Sequence, residues 1–277
     1  YTGTTTLSGG VLGISADANL SGTSSPLTFN GGNTEATKAT LQIAGTSLTA
    51  LNAGRTTTFT ATKFVGFDIA DAANTFTVSQ SLNQTTGGLT KLGNGTLRLT
   101  SANTYTGATT VSAGVLRLDD ANALPGGVGS TGGSSALTIN GGVIGLNAGD
   151  FTRGLGTTAS TVQITGGGGF AAYGADRTVN LGGSSGTATW GSGSFITTVG
   201  GTFILGAASA DKMVDFQNPI ALNGAVRTVQ VNRGSGAVDA RLSGVLSGNA
   251  SSHLTKTGAG TLTLSAANTY TGTTSIN

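Results

Sequence analysis

His253 is the single histidine of the chain, and Ser251 and Ser252 stand directly before it. A serine hydrolase needs such a pair within hydrogen-bond reach. Neighbouring residues on a strand, however, point to opposite faces. The same position in a second copy of the surrounding phrase is Gly88, so the histidine reads as a surface residue. Asp119-Asp120 is the one acidic pair. Calcium takes about six to eight oxygen ligands, often several carboxylates from one loop, so the pair reads as a solvated turn. The glycine run 166–169 has neither a following Lys-Ser/Thr nor a helix whose dipole could hold a phosphate. No catalytic, metal or cofactor-binding residue is assigned, and no cofactor is expected.

The densest charge lies at Asp211, Lys212, Asp215, Arg227, Arg233, Asp239 and Arg241. Glycoside hydrolysis uses two carboxylates roughly 5–9 Å apart. A cleft gathering Asp211, Asp215, Asp239 and Arg241 would mark a polysaccharide-processing enzyme. Asp239 and Arg241 share strand parity, so an ion pair or a stacked ladder is the simpler account, and the reading is that the chain is not an enzyme. Trp190, Tyr105 and Tyr270 are the candidate glycan contacts, as aromatic platforms for sugars. The competing reading puts Tyr105 and Tyr270 at solenoid corners with Asn103 and Asn268, whose side chains can stack as ladders. Arg55, Arg177 and Arg227 each open a strand (RTTTF, RTVNL, RTVQV). In the last two the arginine has the inward parity of the valines that follow. A buried unpaired charge is too costly to keep, which predicts corner positions where they bond turn carbonyls or a carboxylate of an adjacent coil.

The elements that would position these groups are written in one repeated phrase. Residues 87–118 read GGLTKLGNGTLRLTSANTYTGATTVSAGVLRL, and 251–277 read SSHLTKTGAGTLTLSAANTYTGTTSIN. From Leu89 and Leu254 the two align without a gap at a constant offset of 165. Residues 1–15 open on the second half of the same phrase, YTGTTTLSGGVLGIS. Recurrence of this kind is the signature of a solenoid. Within the phrase, Thr96-Leu97-Arg98-Leu99-Thr100 alternates apolar and polar residues, the pattern of a half-buried strand. This predicts Leu97, Leu99, Leu262 and Leu264 inward and Arg98 outward. Gly93-Asn94-Gly95 is turn chemistry. A second sub-motif, SPLTFNGG at 25–32, recurs as SALTINGG at 135–142, each time after the Tyr-Thr-Gly phrase.

The chain has 277 residues, 48 glycines, three prolines and no cysteine. Charged residues make up 9%, against about 25% in an ordinary globular protein, while 37% is hydrophobic. That is enough apolar material, set in alternating strands, for an ordered β protein rather than a disordered one. A net charge of +2 with scattered basic residues excludes a nucleic-acid footprint. No apolar run approaches the roughly 18 residues of a membrane span. No linker or composition shift divides the chain, so residues 1–277 are expected to form one continuous domain. At roughly 20–25 residues per coil, they make about a dozen coils. Whole turns inserted between the copies are expected to leave neighbouring rungs undisturbed.

The string LTKxGxGTLxLxxANTYTG followed by GVLxL resembles the passenger-associated, autotransporter-associated β-strand repeat. The resemblance covers 89–118 and 254–272, with a partial match over 1–14. It implies an all-β fold, a right-handed parallel β-solenoid, export from the cytoplasm to the cell surface or beyond, a role as stalk, adhesin or surface fibre, and no catalytic residues. The favoured reading is a structural segment of an extracellular fibre or stalk. A glycan-binding adhesin, with extracellular polysaccharide as partner, is the alternative, and a β-helical polysaccharide-processing enzyme comes third. The chain opens in mid-phrase at Tyr1, which predicts a segment of something longer. Neither end carries a charged cap, so self-association is expected, head to tail or through further coils of one chain. The contacting ends would be Tyr1, Leu7, Val11, Leu262, Leu264, Tyr270 and Ile276.

Overall fold

Alternation dictates the architecture. Each short strand buries one row of side chains and leaves the other outside, and the glycine-rich corners bring the next strand round to a new face. The computed structural model describes residues 3–20, 25–129 and 133–277. In it the strands stack into five parallel sheets, a parallel β-solenoid. The first sheet holds Thr5–Leu7, Leu27–Phe29 and Thr57–Phe59. The second has eight strands, from Gly10–Ile14 through Leu89–Leu92 and Thr109–Val111 to Thr161–Ile164 and Gly154–Leu155. The third has nine, from Thr75–Val78 to Thr274–Ile276. The fourth runs from Arg177–Val179 to Leu262–Leu264, and the fifth from Ala188–Thr189 to Leu246–Ser247. The nine levels of the third sheet plus two earlier levels, those of Thr5–Leu7 and Leu27–Phe29, make eleven rungs. Coil length is less uniform than expected. Thr96 lies under Val115, nineteen residues on, whereas Gly167 lies under Thr202, thirty-five on.

All pairings between named strands are parallel; Leu97 faces Leu116 and Leu99 faces Leu118. Leu97 and Leu99 are buried as expected, and Arg98 is turned outward with its side chain 40% exposed. Leu262 and Leu264 are partly buried against the same core. That core is one cluster running the length of the solenoid from Leu7 to Leu254. Phenylalanines stack along it, Phe29 on Phe59 at 5.3 Å and Phe195 on Phe216 at 5.8 Å between ring centres.

Whole turns do not separate the copies of the phrase. The strand equivalent to Thr109–Val111 is Thr5–Leu7 in the first copy and Thr274–Ile276 in the last. These three lie in the second, first and third sheets respectively. The strand that follows it, Gly10–Ile14 in the first copy and Val115–Leu118 in the second, lies in the second and third sheets, and Thr96–Leu99 in the third sheet has its aligned counterpart, Leu262–Leu264, in the fourth. The companion sub-motif obeys the same shift, with Leu27–Phe29 in the first sheet and Leu137–Ile139 in the second. Each copy is therefore entered one sheet further on. Part of the shift is made at the glycine run. Strand Gly167–Ala172 pairs with Val143–Leu146 through its last four residues and with Thr202–Leu205 through its first four. A Cβ on Gly169 would lie 2.0 Å from the Ile204 carbonyl oxygen, so the shift of register needs residues without side chains.

Candidate functional site

Outward residues of the third sheet fall in register along the axis: Thr75, Thr96, Val115, Val143, Gly169, Ile204, Gln230 and Thr257. The middle of this row is apolar, which is unusual for the outer face of a solenoid; Val115 and Val143 are buried there, and with Thr96, Ile204 and Gln230 they border a groove of about 480 Å³. Corner residues Ala72, Asn94, Gly114 and Gly141 make one wall, and the loop 207–209 makes the other. Gln230, Asn232 and Arg233 close one end.

The loop wall is held by a chain of side chains beginning at Asp119. Its carboxylate accepts from Arg117 Nε at 2.7 Å and from Arg98 Nε at 2.5 Å. The Arg117 guanidinium lies 4.5 Å from the centre of the Tyr173 ring, a cation–π contact. The Tyr173 hydroxyl meets Ser209 Oγ at 2.7 Å, and Gly174 N–H donates to Asp211 Oδ1 at 2.9 Å. Burial pushes the Tyr173 pKa up, with the bond to Ser209 acting against it. Gly145 makes room for the ring, since a Cβ there would come within 2.7 Å of Tyr173 Cε2. Val115, Val143, Ala171, Tyr173, Ala207 and Ala210 form a second, smaller apolar cluster, which seats the loop on the sheet. Asp119 is thus not a solvated turn residue. Its side chain is 5% exposed and organises two arginines.

The aromatic platforms are not where sugars could use them. Trp190 is 1% exposed and Tyr105 fully buried. The Trp190 ring packs edge-on against Phe195 and Phe203 and lies under Arg227. It fills the core beside Phe195, which bridges to Ile164 at the end of the second sheet. Tyr105 turns inward because its hydroxyl finds Thr109 Oγ1 at 2.7 Å inside the coil. Tyr270 repeats that bond with Thr274 at 2.5 Å and is half-buried. Asn103 and Asn268 do sit at corners, but they bond backbone rather than each other: each Oδ1 accepts an N–H of the preceding coil, from Leu82 and Leu246, at 2.8 Å.

The charged cluster is dispersed among structural tasks. Asp215 is paired with Arg241 at 2.7 Å, and the hydrogen bond that Arg241 donates to its carboxylate holds the Arg241 pKa up. Asp239 accepts from Arg233, Gly234 N and Thr261 N. Asp211 lines a second cleft of about 470 Å³ with Asp176 and Lys212, apart from Asp215 and Asp239. The cleft that would join all three acids with Arg241 is not formed. His253 is partly exposed, and its Nδ1 accepts the Thr273 N–H at 2.9 Å, a tie between adjacent rungs. Arg55 donates to the Asp17 carboxylate and to the carbonyls of Leu20 and Ser25. Arg177 reaches the Asn147 carbonyl, and Arg227 that of Leu222, so all three serve corners as expected. Among the described residues no group of three or more His, Asp or Glu could hold a metal, and no helix is long and apolar enough to cross a membrane.

Of the expected contact ends, Tyr1 lies outside the described residues and Leu7 is a core residue. Val11 and Ile276 are 64% and 78% exposed.

Two cations escaped sequence reasoning. Lys91 points inward in a column with Phe67 and Val111. Its ammonium donates to the carbonyls of Leu92, Gly93 and Ala113 at 2.6, 2.8 and 3.2 Å. Burial pushes its pKa down to about 7, with Asp68 opposing. Lys256, its equivalent in the last copy, donates to the Gly258 carbonyl, so the lysine of Leu-Thr-Lys clamps the glycine corner in both. The signal was its parity with Leu89. Arg153 is fully buried and holds the carbonyls of Pro125, Gly127 and Ser135; burial lowers its pKa.

Residues 89–118 and 254–277 match the family described as passenger-associated-transport-repeat. The chain therefore carries two copies of a passenger-type repeat, on the residues whose clamps and corners have just been described. No curated protein and no solved structure matches the chain.

Proposed function

We propose that the chain is a stretch of the rod of a secreted or surface-exposed passenger-type protein, and that its work is structural: to carry a rigid β-solenoid outward from the cell. The observation that carries this reading is the role of the repeat itself. In both copies the recurring Lys, Asn and Tyr serve hydrogen bonds at corners and between coils. The carboxylates whose arrangement could have suggested catalysis hold arginines and backbone N–H groups instead. The rod is extended by rungs of the same kind, in the same chain or in a second copy. Thr274–Ile276 is an outermost strand of the third sheet, and an open edge is a template for another strand.

Immunogold labelling of intact source cells with antibody against residues 89–118 tests the location; label only after permeabilisation would sink it. Denaturing electrophoresis of native material tests the extension. A band far above 26.9 kDa means further coils in one chain. A band near that mass, with fibres in negative stain, means stacked copies. A band near that mass with isolated monomers at high concentration would end the rod reading.

A further inference from the structure

The solenoid holds one complete strand arrangement in its interior and the two halves of the same arrangement at its outermost coils. Around the middle copy of the phrase, Thr109–Val111 lies on Leu89–Leu92 and carries Leu137–Ile139, while Val115–Leu118 lies on Thr96–Leu99 and carries Val143–Leu146. The first copy has the upper half. Thr5–Leu7 carries Leu27–Phe29, Gly10–Ile14 carries Ala39–Ile43, and no described strand lies beneath either. The last copy has the lower half, His253–Thr257 followed by Leu262–Leu264, whose outer edge is unpaired. One piece belongs to both halves: Thr274–Ile276, paired to Leu254–Lys256, is the counterpart of Thr5–Leu7. Exposure follows the same division. Leu116 is fully buried, but its equivalent Leu12 is 37% exposed; Val111 is fully buried, but its equivalent Ile276 is 78% exposed. Leu97 and Leu99 are buried, whereas Leu262 and Leu264 are only partly so.

We propose that two copies of the chain join by exchanging this shared strand: Thr5–Leu7 of one copy displaces Thr274–Ile276 of the other from Leu254–Lys256. The proposal rests on the rod reading above and gives it a mechanism. Gly10–Ile14 then lies on the other copy's open edge, with Val11 opposite Thr261, Leu12 opposite Leu262, Gly13 opposite Thr263 and Ile14 opposite Leu264. That is the register of Val115–Leu118 on Thr96–Leu99, carried over to the aligned copies. Residues 273–276 read TTSI and residues 4–7 read TTTL, so one set of ladder bonds replaces an equivalent set. The pairing of Gly10–Ile14 with an open edge and the burial of Leu12, Leu262 and Leu264 are gained in addition. No charge opposes the joint, since residues 4–14 and 257–277 contain none. Exchange of an identical element is a low-cost route to assembly, and here the two joining surfaces differ, so the contact is head to tail. Direct stacking without exchange would set Thr5–Leu7 on Leu262–Leu264, a combination for which the chain holds no counterpart.

The test is a crosslink in the full chain, which has no cysteine of its own. Val11→Cys with Thr261→Cys puts thiols at two exposed positions that face each other on adjoining strands only after exchange, within the reach of a disulfide. Oxidation and non-reducing electrophoresis should give a ladder beyond the dimer. It should be at least tenfold more abundant than from Val11→Cys with Val199→Cys, Val199 being a 97% exposed loop position. Ser275→Pro takes an N–H out of the outermost strand and loosens it, so it should lower the concentration needed for assembly severalfold. Direct stacking gives the opposite sign, because that strand would then be part of the docking edge. Leu12→Asp would bury a charge in the joined core and should abolish assembly in a chain that circular dichroism shows still folded. The proposal is overturned if the cysteine pair gives no more ladder than its control, if Ser275→Pro fails to promote assembly, or if Leu12→Asp assembles as the unaltered chain does. Any of these results, with stacked copies still present in native material, rejects the exchange and leaves the rod reading standing.

Discussion

Lys91 allows a sharp test of the corner clamp. Its side chain occupies an inward column between Phe67 and Val111, and burial lowers its pKa from 10.5 to about 7. In the unfolded chain the amine titrates near its ordinary value. Between about pH 7 and 10.5 the unfolded state therefore binds more protons than the folded one, and stability rises with pH across that window. Below about 7 both states are protonated and the penalty is constant; above about 10.5 both are neutral and it vanishes. The full shift corresponds to roughly 5 kcal/mol at about 1.4 kcal/mol per pH unit. Between pH 6.5 and 9.5 the linkage integral gives about 3 kcal/mol. Lys91→Met keeps the length and apolar bulk of the side chain and removes the titration. Urea unfolding of both proteins at a series of pH values isolates the effect, because every other titrating group cancels in the difference. The wild-type free energy should climb relative to the variant by about 3 kcal/mol from pH 6.5 to 9.5. Loss of the three carbonyl bonds offsets the variant's curve but does not tilt it. Parallel curves would refute the reasoning, and would mean that the three carbonyls hold the ammonium charged despite its burial.

Two further outcomes are expected. Leu97→Ala should cost ~2–5 kcal/mol by denaturant unfolding, the usual range for truncating a buried leucine; a change below ~1 kcal/mol would mean the position is solvated. Trp190 is the only tryptophan, so native fluorescence reports on it alone. Its emission should be blue-shifted and resistant to iodide, becoming red-shifted and quenchable only on unfolding, and quenching in the folded state would place the ring outside the core.

The parallel solenoid was legible because the signal is periodic. Alternation in TLRL and VLRL, glycine corners between them and the repeated phrase all describe one geometry, and Leu97, Leu99 and Arg98 face as that geometry requires. What the sequence hid was the fate of polar and aromatic groups, because a solenoid interior offers corner carbonyls as partners for groups that would otherwise seek water. Tyr105 looked like a surface ring, yet Thr109, four residues on, takes its hydroxyl inside. Lys91 has the parity of the buried Leu89, yet its ammonium is accommodated because three turn carbonyls receive it. Asp119 looked like half of an exposed pair, yet Arg98 and Arg117, on adjacent rungs nineteen residues apart, converge on it. The groove was invisible for a related reason: its wall depends on Tyr173 meeting Ser209, thirty-six residues away, and no local pattern encodes that contact.

The displacement of each phrase copy by one sheet shows what the repeat specifies. If it specified a position on the rod, copies would return to the same sheet and their separations would be whole numbers of turns. Instead the phrase carries everything its own corner needs: the glycine turn, the lysine that clamps it, the asparagine that reaches back one coil and the tyrosine that plugs the interior. Such a corner can be built at any vertex of the cross-section, since each partner is supplied by the phrase or by backbone of a neighbouring rung. Backbone carbonyls and N–H groups are present at every level whatever the sequence of the adjoining coil. That independence explains how strongly variable segments, including the glycine run at 166–169 that shifts the ladder by two residues, are tolerated between copies. It also means that an outward position of the phrase, Arg98 in one copy and Thr263 in the next, is presented on a different side of the rod at each recurrence. The groove, by contrast, is lined from both kinds of sequence: Asn94, Thr96, Gly114 and Val115 come from one copy and Ala259 from the next, with residues from Gly141 to Arg233 of the variable region between them. Its shape therefore depends on the variable region and on the copies that flank it together.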